Sequence, residues 1–411
     1  MKNKTLPVFL AFLAMGFGDA VGPFVSLAKG EFHLSNTVAF LTAFMGFIMF
    51  GIISVPMGVY QAKKGRKFIL LLGLSVMLLG ILIPNFGLSS FGVLLVTVLF
   101  LGAGATILQV AGNPIMRDVS PEGKYSRNLS LGQFVKAIGS LTGPIIPTIA
   151  VSIPAITAYY SGASWKVLFP IYSVLVIITI IFVATLKVEE KAENEKAPVT
   201  LKSCLALLKN GYVAMMVAAI FLYVGSEVCM SSGIPLYLHS KFGVNVEKVG
   251  LLGTGLFFTC LMIGRFLGGV ILNWMSPRKF LISTVAISIL AILGLFTGIA
   301  GVVVACVIVT GLAFGNVFPL IFSITVDAMP DKSDELSGLM VTAIVGGAFL
   351  PPLMGFIADQ TKLEYGFLRE CEERYEPDYK SDDAGAAEEG LVIIVKRRTC
   401  KREEHSDCPY Q

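Results

Sequence analysis

Charge is scarce in this chain. Only 15% of its 411 residues are Asp, Glu, Lys or Arg, whereas an ordinary soluble domain carries about a quarter. With 55% hydrophobic residues and a mean hydropathy of +0.77, it holds more apolar sequence than a soluble core of this length can absorb. The formal net charge of +4 gives no reason to expect a nucleic-acid partner. Histidine is nearly lacking: His33 and His239 sit at segment edges and His405 in the tail, so no metal cluster is expected. The seven cysteines show no CxxC spacing. Cys204, Cys229, Cys260 and Cys306 fall in apolar runs, where a thiol serves as a small apolar side chain. No GxSxG, HExxH or Walker sequence occurs, so neither an enzyme nor an ATP-driven pump is expected, and no cofactor. An aqueous channel is disfavoured because no charged ring repeats along any face.

What the chain does have is long apolar runs. A bilayer core of about 30 Å needs roughly 20 apolar residues per helix. Eleven segments qualify, near 6–28, 37–61, 67–86, 91–116, 127–153, 164–186, 211–238, 247–273, 280–298, 301–325 and 336–357. The first resembles a signal peptide, but Asp19 and Pro23 interrupt it and no small-residue cleavage site follows cleanly, so it reads as a span. With the N-terminus inside, 17 Lys and Arg fall on the inner side, among them Lys63, Lys64, Arg66, Arg117 and Arg278, against 4 outside. That asymmetry predicts a cytoplasmic N-terminus. The fold class expected is all-α and polytopic, partnered by the lipid bilayer.

The two sides of the linker Lys187–Thr200 look related. Asp19 precedes Pro23 in span one, and Glu227 precedes Pro235 in span seven, the two acids lying 208 positions apart. Gly139 and Pro144 in span five recur at the same offset as Gly347 and Pro352 in span eleven. Arg66-Lys67-Phe68 after span two recurs as Arg278-Lys279-Phe280 after span eight. Such offsets suggest a duplicated unit, the arrangement that alternating-access transporters use to build a solute site between halves near the midplane. The domains expected are an N-terminal six-helix bundle (1–186), a cytoplasmic linker (187–210), a C-terminal bundle (211–360) and a polar tail (361–411).

Four ionisable residues lie inside the apolar spans: Asp19, Lys136, Glu227 and Arg265. Each costs at least about 2.5–3.5 kcal/mol at mid-bilayer, so such groups pair or line a wet cavity. Asp19, flanked by Gly18 and Gly22, reads as a carboxylate that takes up a proton or Na+, or as one that salt-bridges Lys136; the two readings are compatible. Gln133 and Lys136 share a face at i,i+3, and Gln109 and Asn113 share one at i,i+4, with Pro114 expected to open the backbone beyond them. Amides offer both donors and acceptors, which suits sugar hydroxyls, although they also join helices to each other. Asn316, among Gly311, Gly315 and Pro319, and Glu227 complete the candidate binding set. Arg265, near the inner end of span eight, is expected to snorkel to the interface. Trp165 and Trp274, near span ends, are expected to anchor there.

At these residues the chain resembles the major facilitator superfamily, in its fucose permease and glucose/galactose transporter branch. The resemblance spans about residues 5–368 and rests on LQVAGNPIM (Leu108–Met116), YVGSEV (Tyr223–Val228), MIGRFLG (Met262–Gly268), GNVFPLIFS (Gly315–Ser323) and AIVGGAFLPPLMGFIAD (Ala343–Asp359). It implies two six-helix bundles and cation-coupled (H+ or Na+) sugar uptake across a bacterial inner membrane; a monomer is expected. It also implies a coupling role for Asp19 and sugar contact for Gln133. The chain departs from that pattern in several places. Gln109 stands where fucose permeases carry Glu, Lys136 replaces a neutral polar residue, and Ala62 in GVYQAKKGRK (Gly58–Lys67) stands where an acid is usual. After Gly366–Leu368 a twelfth apolar helix is expected but the chain turns polar, and the tail reads as disordered, giving eleven spans. A hexose:cation symporter is the leading expectation. The alternatives are a transporter of an acidic sugar held by Lys136, and a non-transporting sensor or inactive truncated transporter.

Overall fold

The structure, a computed structural model, describes residues 5–19, 24, 28, 31–34, 36–86, 90–161, 163–186, 200–242 and 254–350. Among the described residues regular structure is helical throughout. This is what lipid demands, because a spanning segment must satisfy its backbone N–H and C=O groups internally. The helices are α1 (Thr5–Asp19), α2 (Asn36–Lys64), α3 (Arg66–Asn85), α4 (Phe91–Val119), α5 (Tyr125–Val151), α6 (Leu168–Ala184), α7 (Gly211–Phe242), α8 (Thr254–Ile271), α9 (Pro277–Gly294), α10 (Ala300–Phe314), α11 (Val317–Ala328) and α12 (Ser333–Thr342). Short helices cover Pro154–Tyr159 and Leu201–Ala206. Among the described residues, nine helical segments are long and apolar enough to cross a bilayer, while Thr5–Asp19 and Gly255–Ile271 are shorter apolar helices. Within the tenth expected span, which runs Ala300–Ala328, the helix is interrupted for two residues, Gly315 and Asn316, between α10 and α11. The linker at 187–199, Pro23, and everything from Pro351 onward, including the polar tail and its cysteines, lie outside the described residues.

Local sequence sets the helix ends. Ser90 caps α4 by accepting from the Val93 amide, and Thr200 and Ser203 form a reciprocal capping box on Leu201–Ala206. Between α2 and α3 the chain reverses at Gly65, whose φ of 85° only glycine adopts freely. α4 runs on through Pro114 to Val119, so that proline does not open the helix as its position suggested. It does remove one N–H, leaving the Val110 carbonyl free for another partner.

Packing is by small residues at helix crossings. In the first half α1 packs on α4 and α5, α2 on α4, and α3 on α4 and α6. In the second half α7 packs on α11 and on the 3-10 turn Ala343–Val345, α8 on α10, and α9 on α10. Apart from that of α3 with α6, these are the first-half pairings repeated one unit later along the chain. The crossings themselves repeat. Gly16 meets Gly139 between spans one and five, while Val224 and Val228 meet Gly347 at the offset of 208. The halves touch through α12 on α2, and α8 and α11 on α5. Outward-facing apolar side chains such as Ile181, Leu222, Ile282, Leu290 and Leu293 are exposed, as a lipid-facing surface requires.

Trp165 is no interfacial anchor. It is buried against Phe24 and Phe169, whereas Trp274 is exposed at the end of span eight. The apolar environment offered by Phe24 outweighs the membrane interface for that indole.

Candidate functional site

The site is built where α1, α4 and α5 converge. Asp19 closes the described part of α1; below it Gly16 lets α1 lie directly on α5, and Gly18 lets it lie on α4 at Ala105. Its Oδ2 is 3.0 Å from the Lys136 Nζ and accepts from Ser140 Oγ at 3.2 Å. Lys136 in turn donates to Gln109 Oε1 at 3.1 Å. One turn away Gln133 Nε2 donates to Asn113 Oδ1 at 3.4 Å. Five of the expected residues therefore fall into two bonded groups on neighbouring turns of α4 and α5, Asp19–Lys136–Gln109 and Gln133–Asn113. Asp19 is the most open of the five, its side chain 26% exposed against 9% for Lys136. Gln109, Asn113 and Gln133 are buried, and the Asn113 Nδ2 has no partner among the described residues. An ammonium so enclosed persists because a carboxylate and an amide oxygen surround it.

Ser140 was missed from sequence, although it stands at i+4 from Lys136 on the same face of α5. Tyr125 was also missed; its hydroxyl donates to the Asn113 carbonyl at 3.1 Å and steadies that stretch of α4.

The second half carries the other two ionisable groups. Glu227 on α7 pairs with Arg265 on α8 at 3.6 Å. The expectation that Arg265 snorkels to the interface is wrong: it is 6% exposed. Acceptors reached inside the protein remove any need to extend toward water. Asn316 donates to the Gly264 carbonyl, and no bond joins it to the first-half cluster among the described residues. It packs α10 and α11 against α8, where a side chain on Gly268 would collide with it.

At the end of the bundle where α1 begins, the halves are tied together. Arg66 bonds Asp118 of its own half and reaches Asp334 (2.8 Å) and Ser333 (2.7 Å) of the other. Gln61 donates to the same Asp334 oxygen at 2.7 Å. The carboxylate expected at Ala62 is thus supplied from the start of α12. Arg117 pairs with Asp327 at 3.1 Å, and Ser126 with Ser323 at 2.8 Å. Ser337 donates at 2.6 Å to the Val110 carbonyl, the one Pro114 leaves free.

Helices of this number and pairing, with ionisable groups held between two repeating halves, invite comparison with known proteins. The family model of the Major Facilitator Superfamily matches residues 8–352. The chain belongs to the Major Facilitator Superfamily. A glucose/galactose transporter of Brucella abortus is 26% identical over 345 residues, covering 83% of this facilitator chain and 84% of the relative. The L-fucose-proton symporter of Escherichia coli is 24% identical over 377 residues, covering 85% of each. Among solved structures, the facilitator FucP in the outward conformation superposes with a TM-score of 0.75 at 21% identity, covering 88% of this chain and 93% of that one. The proton:xylose symporter XylE gives 0.71 at 16% identity, covering 89% and 90%. These relatives are transporters, not enzymes.

Proposed function

We propose that this facilitator is a cation-coupled hexose symporter that works by alternating access, with its N-terminal end cytoplasmic. The reading is carried by one observation: a carboxylate, an ammonium and three amides, bonded in two groups, lie on neighbouring turns where α1, α4 and α5 meet. The orientation draws on the excess of Lys and Arg in the loops assigned inside. The sugar draws on relatives named for glucose, galactose and fucose.

Asp19 is the coupling group. A proton or Na+ on its carboxylate weakens its hold on Lys136, and the ammonium then needs another partner inside a low-dielectric bundle. Sugar hydroxyls supply it, together with Gln109. The same sugar satisfies the unpartnered Asn113 Nδ2 and replaces the long Gln133–Asn113 bond. Cation and sugar thus favour each other's binding, a coupling that is reciprocal by linkage. The closed inner end, tied by Arg66, Arg117 and Ser337, corresponds to the state loaded from outside. An acidic sugar held by Lys136 is the weaker reading, because its carboxylate would have to displace that of Asp19 from the same ammonium.

The test is uptake by the purified chain in liposomes, with labelled D-glucose, D-galactose and L-fucose, with and without Na+ and with and without a pH gradient. Asp19→Asn should abolish concentrative uptake while counterflow persists. Concentrative uptake unchanged in this variant would remove Asp19 from the mechanism.

A further inference from the structure

Arg265 lies outside the cluster just described, yet it is the group that reaches it from the opposite half. Its guanidinium faces three acceptors, on α7, on α5 and at the turn between α10 and α11. Nη2 faces Glu227 Oε1 on α7 at 3.6 Å, and Nε donates at 3.3 Å to the Gly315 carbonyl. That carbonyl has no intrahelical donor, since the residue four further on is Pro319. Nη1 donates at 3.4 Å to the carbonyl of Gln133 on α5, in the first half. The side chain of that same Gln133 meets Asn113. A contact between the ring of Phe134, the next residue, and Phe266 flanks the arginine. Glu227 and Gly315 fix the guanidinium plane within the second half, leaving one edge of a rigid fork directed across the interface.

We propose that Arg265 is a positioning residue for the sugar site, holding the Gln133 backbone from the opposite half so that the site is assembled only while the inner end is closed. This rests on the sugar reading above for its ligand, but not for the strut itself. When the halves rock apart at the inner end, the Nη1 bond is broken and Gln133 loses its brace. Sugar is therefore held firmly in one state and released in the other, with Glu227 keeping the arginine neutralised in both.

The strut can be measured without ligand. In the full-length chain in lipid nanodiscs, with native cysteines replaced, Ser126→Cys and Ser323→Cys place two thiols where two hydroxyls are 2.8 Å apart. Adding Arg265→Gln should lower their cross-linking at least threefold. Because a lone buried Glu227 could impair folding, the paired variant Arg265→Gln with Glu227→Gln is measured as well, and should behave alike while eluting as one species. In the sugar arm, Arg265→Gln should raise the Kd for whichever of glucose, galactose or fucose binds by about tenfold, and adding it to Gln133→Ala should raise it no further. Cross-linking that stays at the parent level in both variants, or losses of affinity that add, would overturn the proposal. If the parent binds none of the three sugars, the sugar reading fails and cross-linking alone decides the strut.

Discussion

Gly16 of α1 and Gly139 of α5 meet backbone to backbone, and a side chain on either would run into the other helix. One repeat later, Val224 and Val228 of α7 meet Gly347, the residue 208 positions after Gly139. The contact places Asp19, three residues beyond Gly16, beside Lys136, three before Gly139. Gly16→Val or Gly139→Leu should therefore prevent α1 from docking and abolish recovery of monodisperse protein. Ala at Gly211 or Gly301, where an added Cβ meets nothing within 4 Å, should leave yield unchanged. Size-exclusion profiles in detergent check both; normal profiles for the two bulky variants would remove the close crossing.

Arg66 holds Asp334 and Ser333 across the interface, and the short helix Leu201–Ala206 packs beside them against α2 and α12. Cys204 on that helix is fully buried. Burial, then the nearby Glu335 carboxylate, pushes its thiol up to about 11 from 9.0. The folded state thus binds this proton more tightly than the unfolded chain, so labelling by a maleimide should be slow at neutral pH and rise as pH climbs from about 9 toward 11. Asp334→Ala removes the acceptor shared by Arg66 and Gln61, and should speed Cys204 labelling severalfold at pH 7.5. Labelling as slow as in the parent would show that the inner end stays shut without that carboxylate.

Much of this was legible in the residues. The spans follow from hydropathy because lipid leaves a segment few alternatives to helix. The cluster follows from i,i+3 and i,i+4 spacing on α4 and α5. Contacts between distant segments were less legible. Arg265 looked like a snorkelling side chain because two of its three acceptors are main-chain carbonyls 50 and 132 positions away, which side-chain patterns do not reveal. Asp334 substitutes for an acid at Ala62 from 272 residues further along, and only the packing of α12 on α2 joins the two sites. Pro114 and Pro319 carried a partial signal: each marks a free carbonyl four residues earlier, without naming the group that takes it.

Lys136 is enclosed by Asp19 and Gln109. Lys136→Gln leaves Asp19 without its cation, at a cost below the roughly 3–5 kcal/mol of breaking a fully buried pair, because the carboxylate is partly exposed. Combining it with Asp19→Asn removes the orphaned charge. Melting in detergent should therefore fall by several degrees for Lys136→Gln and recover in the double variant. A double variant that melts below the single would mean that the ion pair itself contributes net stability. Uptake by Lys136→Gln also separates the two substrate classes: it should weaken hexose uptake, whereas an acidic-sugar carrier would lose its substrate altogether.

Ser337 and Pro114 provide the most discriminating pair. Ser337 is fully buried on α12 and donates to the Val110 carbonyl on α4, which no N–H at residue 114 can reach. Ser337→Ala leaves that carbonyl buried and unpartnered, a loss of about 1–3 kcal/mol. Pro114→Ala supplies an amide proton four residues on, inside α4. The double variant should thus regain most of the stability lost in Ser337→Ala, because the carbonyl is satisfied again. It should not regain the tie between the halves, because the new bond lies within one helix. Melting temperature and Ser126→Cys/Ser323→Cys cross-linking then part company: the first returns toward the parent, and the second stays low. If both recover together, the Ser337 bond stabilises the fold without holding the inner end closed.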